Sequence, residues 1–265
     1  MLQTTFGSHK PIIAMIHLAP LPGSPLYDKD GGMQKIIDLA AADIAALQEG
    51  GVDAVMFGNE GDRPYLLKAS PQSLAAMAFA VGELKRQIRI PFGVNYLWDP
   101  VASVSLGIAS GARFVREIFT GVYDSDMGLW APDAATALRL RSDASRLDMK
   151  LMFNINAEFA SPVGDRSIAA RAKSAVFSSL ADVVLVSGPM TGQAVETANL
   201  KLAKEALPDT PVFANTGVNI DNVADILKIG DGAVIGTHFK VDGDTWKAVD
   251  PVRVKRFMDK VGKIR

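Results

Sequence analysis

The sequence predicts a single (β/α)8 barrel domain spanning residues 1–265, and three observations predict it. Short apolar runs of strand length alternate with amphipathic segments of helical length, the pattern of a parallel sheet with helical crossovers. Eight such runs are present, each with polar or Gly residues at its C-terminal end. That suits a closed ring with one functional face better than a doubly wound sheet, the other architecture the alternation allows. The length of 265 residues is also near the roughly 250 usual for such a barrel.

The first strand is expected over Pro11 to His17, and the three prolines and one glycine between Leu18 and Pro25 forbid regular structure after it. Apolar residues at helical spacing run from Met33 to Glu49 and stop at Gly50-Gly51. The second strand, Val52 to Phe57, leads into Gly58-Asn59-Glu60-Gly61-Asp62-Arg63-Pro64, with a helix over Ser73 to Gln87. Strand three is Pro91 to Asn95. Asp99-Pro100 then supplies an N-cap and a first-turn proline for a helix ending at Gly111. Strand four, Arg113 to Glu117, is expected to send Arg116 and Glu117 to opposite faces, because strand side chains alternate. A glycine-bearing loop from Phe119 to Gly128 precedes a helix near Pro132 to Leu147. Strand five covers Lys150 to Ile155 and its helix Ser167 to Leu180.

Strand six is Asp182 to Ser187, followed by the turn Gly188 to Gly192 and a helix over Ala194 to Ala206. Strand seven, within Pro211 to Ala214, ends in Asn215-Thr216-Gly217, with Asn219 placed to cap a helix near Ile220 to Lys228. Strand eight runs through Ala233 to Gly236-Thr237, and Asp250-Pro251 opens the last helix.

A hydrophobic content of 48% over this length is enough for a large core. Lys and Arg total 28 against 29 Asp and Glu, so no global field draws the chain to nucleic acid or anionic lipid, and a small soluble ligand is the expected partner. No Cys is present, which excludes thiolate chemistry, disulfides and Cys-ligated metal. Met1 to Lys10 lacks the features of a secretory signal, and no uninterrupted apolar stretch has membrane-spanning length, so the expected setting is the cytoplasm. Homo-oligomerisation is compatible with the sequence.

Four stretches carry a family resemblance: Ile13 to Pro25, Met56 to Pro64, Arg116 to Trp130 and Gly236 to Trp246. Together they resemble the BtpA/SgcQ family nearly end to end, and Asn59 to Pro64 with Glu117 to Tyr123 look closer to the SgcQ branch. The resemblance implies a (β/α)8 fold. It also implies one of two functions: sugar metabolism with nucleosidase activity, as in the SgcQ branch, or a non-catalytic role in photosystem I biogenesis, from which BtpA takes its name.

The residues themselves place a site on the C-terminal rim. His17 stands at the mouth of strand one as an assisting base or ligand contact. Glu60 and Glu117 are two carboxylates on one rim, as glycosidic-bond cleavage requires: one protonates the leaving group and the other stabilises or activates the attacking group. Glu117 is also placed to pair with Arg116 or Arg63 as a structural ion pair. Asn95, Asn154, Asn156 and Asn215, with Arg116 and Ser187, offer hydrogen bonds to a hydroxyl-rich substrate. Thr216-Gly217 and Gly236-Thr237 are positioned as a backbone phosphate cradle, supplemented by Lys240. Isomerase or aldolase chemistry on a sugar phosphate is open at the same rim. No cofactor is called for. A divalent metal is chemically compatible with His17, Glu60, Asp62 and Glu117, although no metal-spaced motif occurs. A nucleophile elbow and a dinucleotide-binding glycine fingerprint are both missing.

Overall fold

The computed structural model describes residues Met1–Arg265 and shows eight parallel strands closed into a barrel. Numbered along the chain, these are β1 (Ile12–His17), β2 (Ala54–Gly58), β3 (Phe92–Asn95), β4 (Phe114–Glu117), β7 (Lys150–Asn154), β9 (Val183–Val186), β10 (Val212–Ala214) and β11 (Gly232–Ile235). Each pairs with its neighbour in the chain, and β1 closes the ring on β11 through Ile12↔Ala233 to Ala14↔Ile235. The intervening β5 (Tyr123–Ser125), β6 (Gly128–Trp130) and β8 (Ala160–Pro162) form a separate antiparallel sheet in order β6-β5-β8. The expected loop over Phe119 to Gly128 thus holds a strand and opens a hairpin, and its second partner comes from beyond β7.

Helices α2 (Gly32–Glu49), α3 (Pro71–Leu84), α4 (Pro100–Ser110), α5 (Ala134–Asp143), α6 (Ile168–Phe177), α7 (Thr197–Ala206), α8 (Val223–Ile229) and α9 (Pro251–Gly262) surround the ring. Their starts follow local chemistry. Asp99 accepts from Ala102 N–H at 2.9 Å, Asp250 from Val252 N–H at 2.8 Å, and in both cases proline fills the first helical position, which needs no N–H. Ser167 and Asp133 cap α6 and α5 through Ala170 and Thr136. Asn219 does not cap α8. Its side chain accepts from the N–H groups of Asp221 and Asn222, closing a turn that delays the helix to Val223. α5 also ends earlier than the apolar spacing predicts, at Asp143, because Ser145 turns to φ 56°.

Two apolar layers follow from strand alternation. Outward-facing strand residues such as Ala14, Val55, Val115, Leu151 and Val184 pack on the helices. Ile13, Met15, Met56, Phe114, Met152, Leu185, Phe213 and Val234 face the axis and fill the barrel. A short helix the sequence reading missed, α1 (Leu2–Phe6), closes the lower end: Phe6 packs against Phe114 and Phe213 with ring centroids 5.1 and 6.2 Å away. No helix is long and apolar enough to cross a membrane.

Candidate active site

Extending the inward parity of the strands upward by one step changes the chemistry. Above Met15, Phe114, Met152, Leu185 and Phe213 come His17, Arg116, Asn154, Ser187 and Asn215, and Asn95 joins them from β3. The apolar plug therefore ends in a polar ring. Above it opens a cavity of about 260 Å³, lined on one side by Tyr65, Trp98, Ile118 and Phe159 and on the other by Thr216, Gly217, Asn219, Gly236, Thr237 and Arg253.

Arg116 crosses the floor. Its Nε and Nη2 both donate to Asn95 Oδ1, the former at 2.9 Å, and Nη1 donates to Asn215 Oδ1 at 3.1 Å. Asn95 in turn donates to Glu117 Oε1 at 2.9 Å. Glu117 is not sent to the opposite face from Arg116: both line the cavity. As the last residue of β4 it has left the helix layer, and its carboxylate is gathered in by donors, Trp98 N–H at 2.7 Å on Oε1 and Ile118 N–H on Oε2. Burial pushes the Glu117 carboxyl up to about 7, against the pull of the Ile118 amide and the Arg116 charge. The Trp98 amide that it anchors belongs to a non-glycine residue at φ 73°, a strained conformation that persists where its surroundings hold it.

Glu60 is the opposite case. It enters from the loop after β2, where Asn59 accepts from Leu97 N–H and Tyr65 O–H donates to the Glu60 carbonyl. Its Oε2 is buried without a partner, and Oε1 lies 3.9 Å from His17 Nε2, too far for a hydrogen bond. Burial raises the Glu60 carboxyl to about 7, partly offset by Arg116. His17 is driven down to about 3 by burial and by the positive charges of Lys240 and Arg116, so its imidazole is neutral, and its Nδ1 also lacks a partner. Space for both groups is made by missing side chains. A Cβ on Gly58 would stand 2.3 Å from a Glu60 carboxylate oxygen, and one on Gly236 would stand 2.9 Å from the His17 ring.

The remaining sequence candidates divide by placement. Asn154 lines the cavity, whereas Ser187 and Asn156 lie behind it. The Ser187 hydroxyl accepts from Asn154 at 2.8 Å and Asn215 at 2.7 Å, and Asn156 exchanges two hydrogen bonds with the Ser187 backbone, so this pair orients the lining amides. Thr216, Gly217, Gly236 and Thr237 all reach the cavity, and the N–H groups of Thr216, Gly217, Val218 and Gly236 donate to no acceptor in the chain. Gly217, at φ +61°, is overlaid by the Gln193–Ala194 backbone, which a Cβ would strike at 2.1 Å. Lys240 is a correction: it does not supplement the cradle, because its ammonium is only 2% exposed, outside the cavity, and bound to Asp43 at 2.6 Å. Asp62 is likewise turned away, taken up by Leu21 N–H, Asn59 and Ser73. The four proposed metal-ligating side chains do not converge, and no group of three His, Asp or Glu is arranged to hold a metal ion.

Trp98, Tyr65, Phe159 and Arg253 were not singled out from sequence. Glu158, in the loop after β7, also lines the cavity, where burial raises its carboxyl, and it accepts from the Thr191 hydroxyl at 2.7 Å across two loops.

The family model described as BtpA family matches residues 8–263. The sgc region protein SgcQ of Escherichia coli strain K12 is 49% identical over 264 residues, covering 100% of this chain and 98% of that one. The chain belongs to the BtpA family. The photosystem I biogenesis protein BtpA of Synechocystis sp. is 32% identical, covering 97% of this chain and 90% of its own length, so within the family the chain is nearer to SgcQ. Among solved structures, the phosphoribosyl anthranilate isomerase of Thermus thermophilus superposes with a TM-score of 0.60 at 11% identity, covering 96% and 100% of the two chains, a likeness of fold.

Proposed function

We propose that this BtpA-family barrel is an enzyme of sugar metabolism that acts on a sugar phosphate or nucleoside-like substrate at the C-terminal mouth. The observation that carries the reading is Glu60, a buried acid with one oxygen unpartnered, poised near neutrality and facing a neutral His17 inside a cavity. A carboxyl near pH 7 is at once a competent proton donor and acceptor, as required for protonating a glycosidic leaving group or for moving a proton along a sugar carbon chain. Two features support a phosphorylated sugar: the four N–H groups without acceptors at residues 216, 217, 218 and 236, and Arg253 on the same side of the cavity. Opposite them, Tyr65, Trp98 and Phe159 supply an apolar wall for a sugar face or a heteroaromatic base.

Within this reading Glu60 is the acid/base. Glu117, raised to about 7 like Glu60, is set apart by its partners: both of its oxygens are already occupied by donors from Asn95, Trp98 and Ile118, so it fixes the floor. His17 contacts the substrate as a neutral donor or acceptor.

The test begins with thermal-shift screening of sugars, sugar phosphates and nucleosides, followed by turnover assays on those that raise the melting temperature. Replacing Glu60→Gln should reduce turnover of the substrate so found by about 10²–10⁴-fold while leaving its binding in place. Full activity in that variant would refute the assignment. Protein docking, suggested by the printed role of the Synechocystis relative, would draw on exposed apolar side chains such as Phe177, which is 89% exposed, and Leu180. It gives no role to the unpartnered atoms of the cavity.

A further inference from the structure

Six charged side chains are buried in this protein: Asp43, Glu60, Arg116, Glu117, Arg141 and Lys240. Three are cations, and two of these have a carboxylate oxygen at 2.6 Å: Asp182 for Arg141 and Asp43 for Lys240. Arg116, 9% exposed, has none within 4.0 Å. Buried charges are ordinarily paired, because removal from water penalises an isolated ion heavily. Here the positions where a counter-ion would sit are held by the neutral amides of Asn95 and Asn215. Asn95 even stands between the guanidinium and the Glu117 carboxylate, bonded to both.

The five N–H groups of Arg116 can be followed one by one. Nε and one N–H of Nη2 go to Asn95, and one N–H of Nη1 goes to Asn215. One N–H on each terminal nitrogen is left, on a residue that lines the cavity. A guanidinium with one free donor at each end matches two oxygens held in a plane. Two other residues that line the cavity, Glu60 and His17, also keep a buried polar atom without a partner in the chain, Oε2 and Nδ1.

We infer that Arg116 is a carboxylate-binding site and that the substrate is a sugar acid, whose carboxylate docks on the barrel axis as the counter-ion the fold leaves out. This rests on the sugar-enzyme reading above and narrows it. A carboxylate on Arg116 and a phosphate held by the N–H groups of residues 216–218 and 236 are distinguished by the ligand comparison that follows.

The experiment compares four ligands by thermal shift at one salt concentration: D-glucose, D-gluconate, D-glucose 6-phosphate and D-gluconate 6-phosphate. Each acid is expected to raise the melting temperature of the wild-type protein more than its neutral partner. In Arg116→Met that difference should vanish, while any gain from the phosphate group persists. Asn215→Asp is the second variant. It gives Arg116 an internal carboxylate, with the Ser187 hydroxyl able to turn and donate to it, so the acid preference should disappear with the arginine still present and the fold no less stable. Acids and neutral sugars that behave alike in the wild-type protein, or an acid preference that survives in Arg116→Met or Asn215→Asp, would overturn the inference. The phosphate comparison is read independently: an acid effect without a phosphate effect keeps Arg116 as proposed and removes the cradle.

Discussion

Replacing Glu60 by Gln should change how stability depends on pH, and the size of the change follows from the site. The carboxyl has an ordinary value of 4.5 and is raised to about 7 in the folded chain. Between these two values the unfolded chain has released the proton while the native chain still holds it, so stability falls as pH rises through the window. Below 4.5 both states are protonated and the penalty is absent; above about 7 it is complete. At ~1.4 kcal/mol per pH step, the window amounts to about 3 kcal/mol. Because the side chain is only 9% exposed, solvent screening takes little from that figure. Gln cannot ionise, so Glu60→Gln should track the wild-type protein at acid pH and become more stable than it by about 3 kcal/mol toward pH 8. Urea unfolding of both proteins at several pH values measures this directly. Stability differences that stay constant across the window would show that Glu60 ionises freely in the native state, and the acid/base assignment would fall with them.

Glu117→Gln removes a carboxyl likewise raised to about 7, but at neutral pH it should gain roughly 1–3 kcal/mol less than Glu60→Gln, because an amide nitrogen would meet the N–H donors of Trp98 or Ile118 from which the carboxylate now accepts; chemical denaturation of the two variants detects it, and equal gains would deny Glu117 its anchoring part. Gly236→Ala should displace His17, given the 2.9 Å approach of the new methyl, and weaken ligand binding more than it lowers the melting temperature. Phe6→Ala should destabilise the fold by about 3–5 kcal/mol by emptying the barrel's lower end, with the KM of any turnover assay unchanged.

What could be read in the sequence was what local rules decide. Asp99-Pro100 and Asp250-Pro251 announce helices because a cap and a fixed φ act within one turn. The polar ring was legible for a similar reason: Asn95, Arg116, Asn154 and Asn215 terminate apolar runs in a fold whose strands all point their C-termini to one face. Long-range pairing was hidden. The β5–β8 ladder joins Tyr123 to Pro162, and nothing in the residues around Gly121 signals a partner so far along the chain. Lys240 was misassigned because its counter-ion, Asp43, sits 197 residues away, and the missing counter-ion of Arg116 could not be noticed without the folded chain. The division of labour between Glu60 and Glu117 was equally invisible, since it depends on which oxygens already have donors.

The Phe6 plug has a consequence for kinetics. With the lower end of the barrel stopped by aromatic rings, the cavity is reached from the C-terminal face. Whatever lies deepest, on Arg116, must enter first and leave last. If a bond is cut during turnover, the fragment nearer the doorway departs before the one seated on the arginine, and that inner fragment, left in place, blocks the next molecule. Traffic through the site is therefore ordered by depth, and accumulation of the inner product would slow the protein by competing directly with its own substrate.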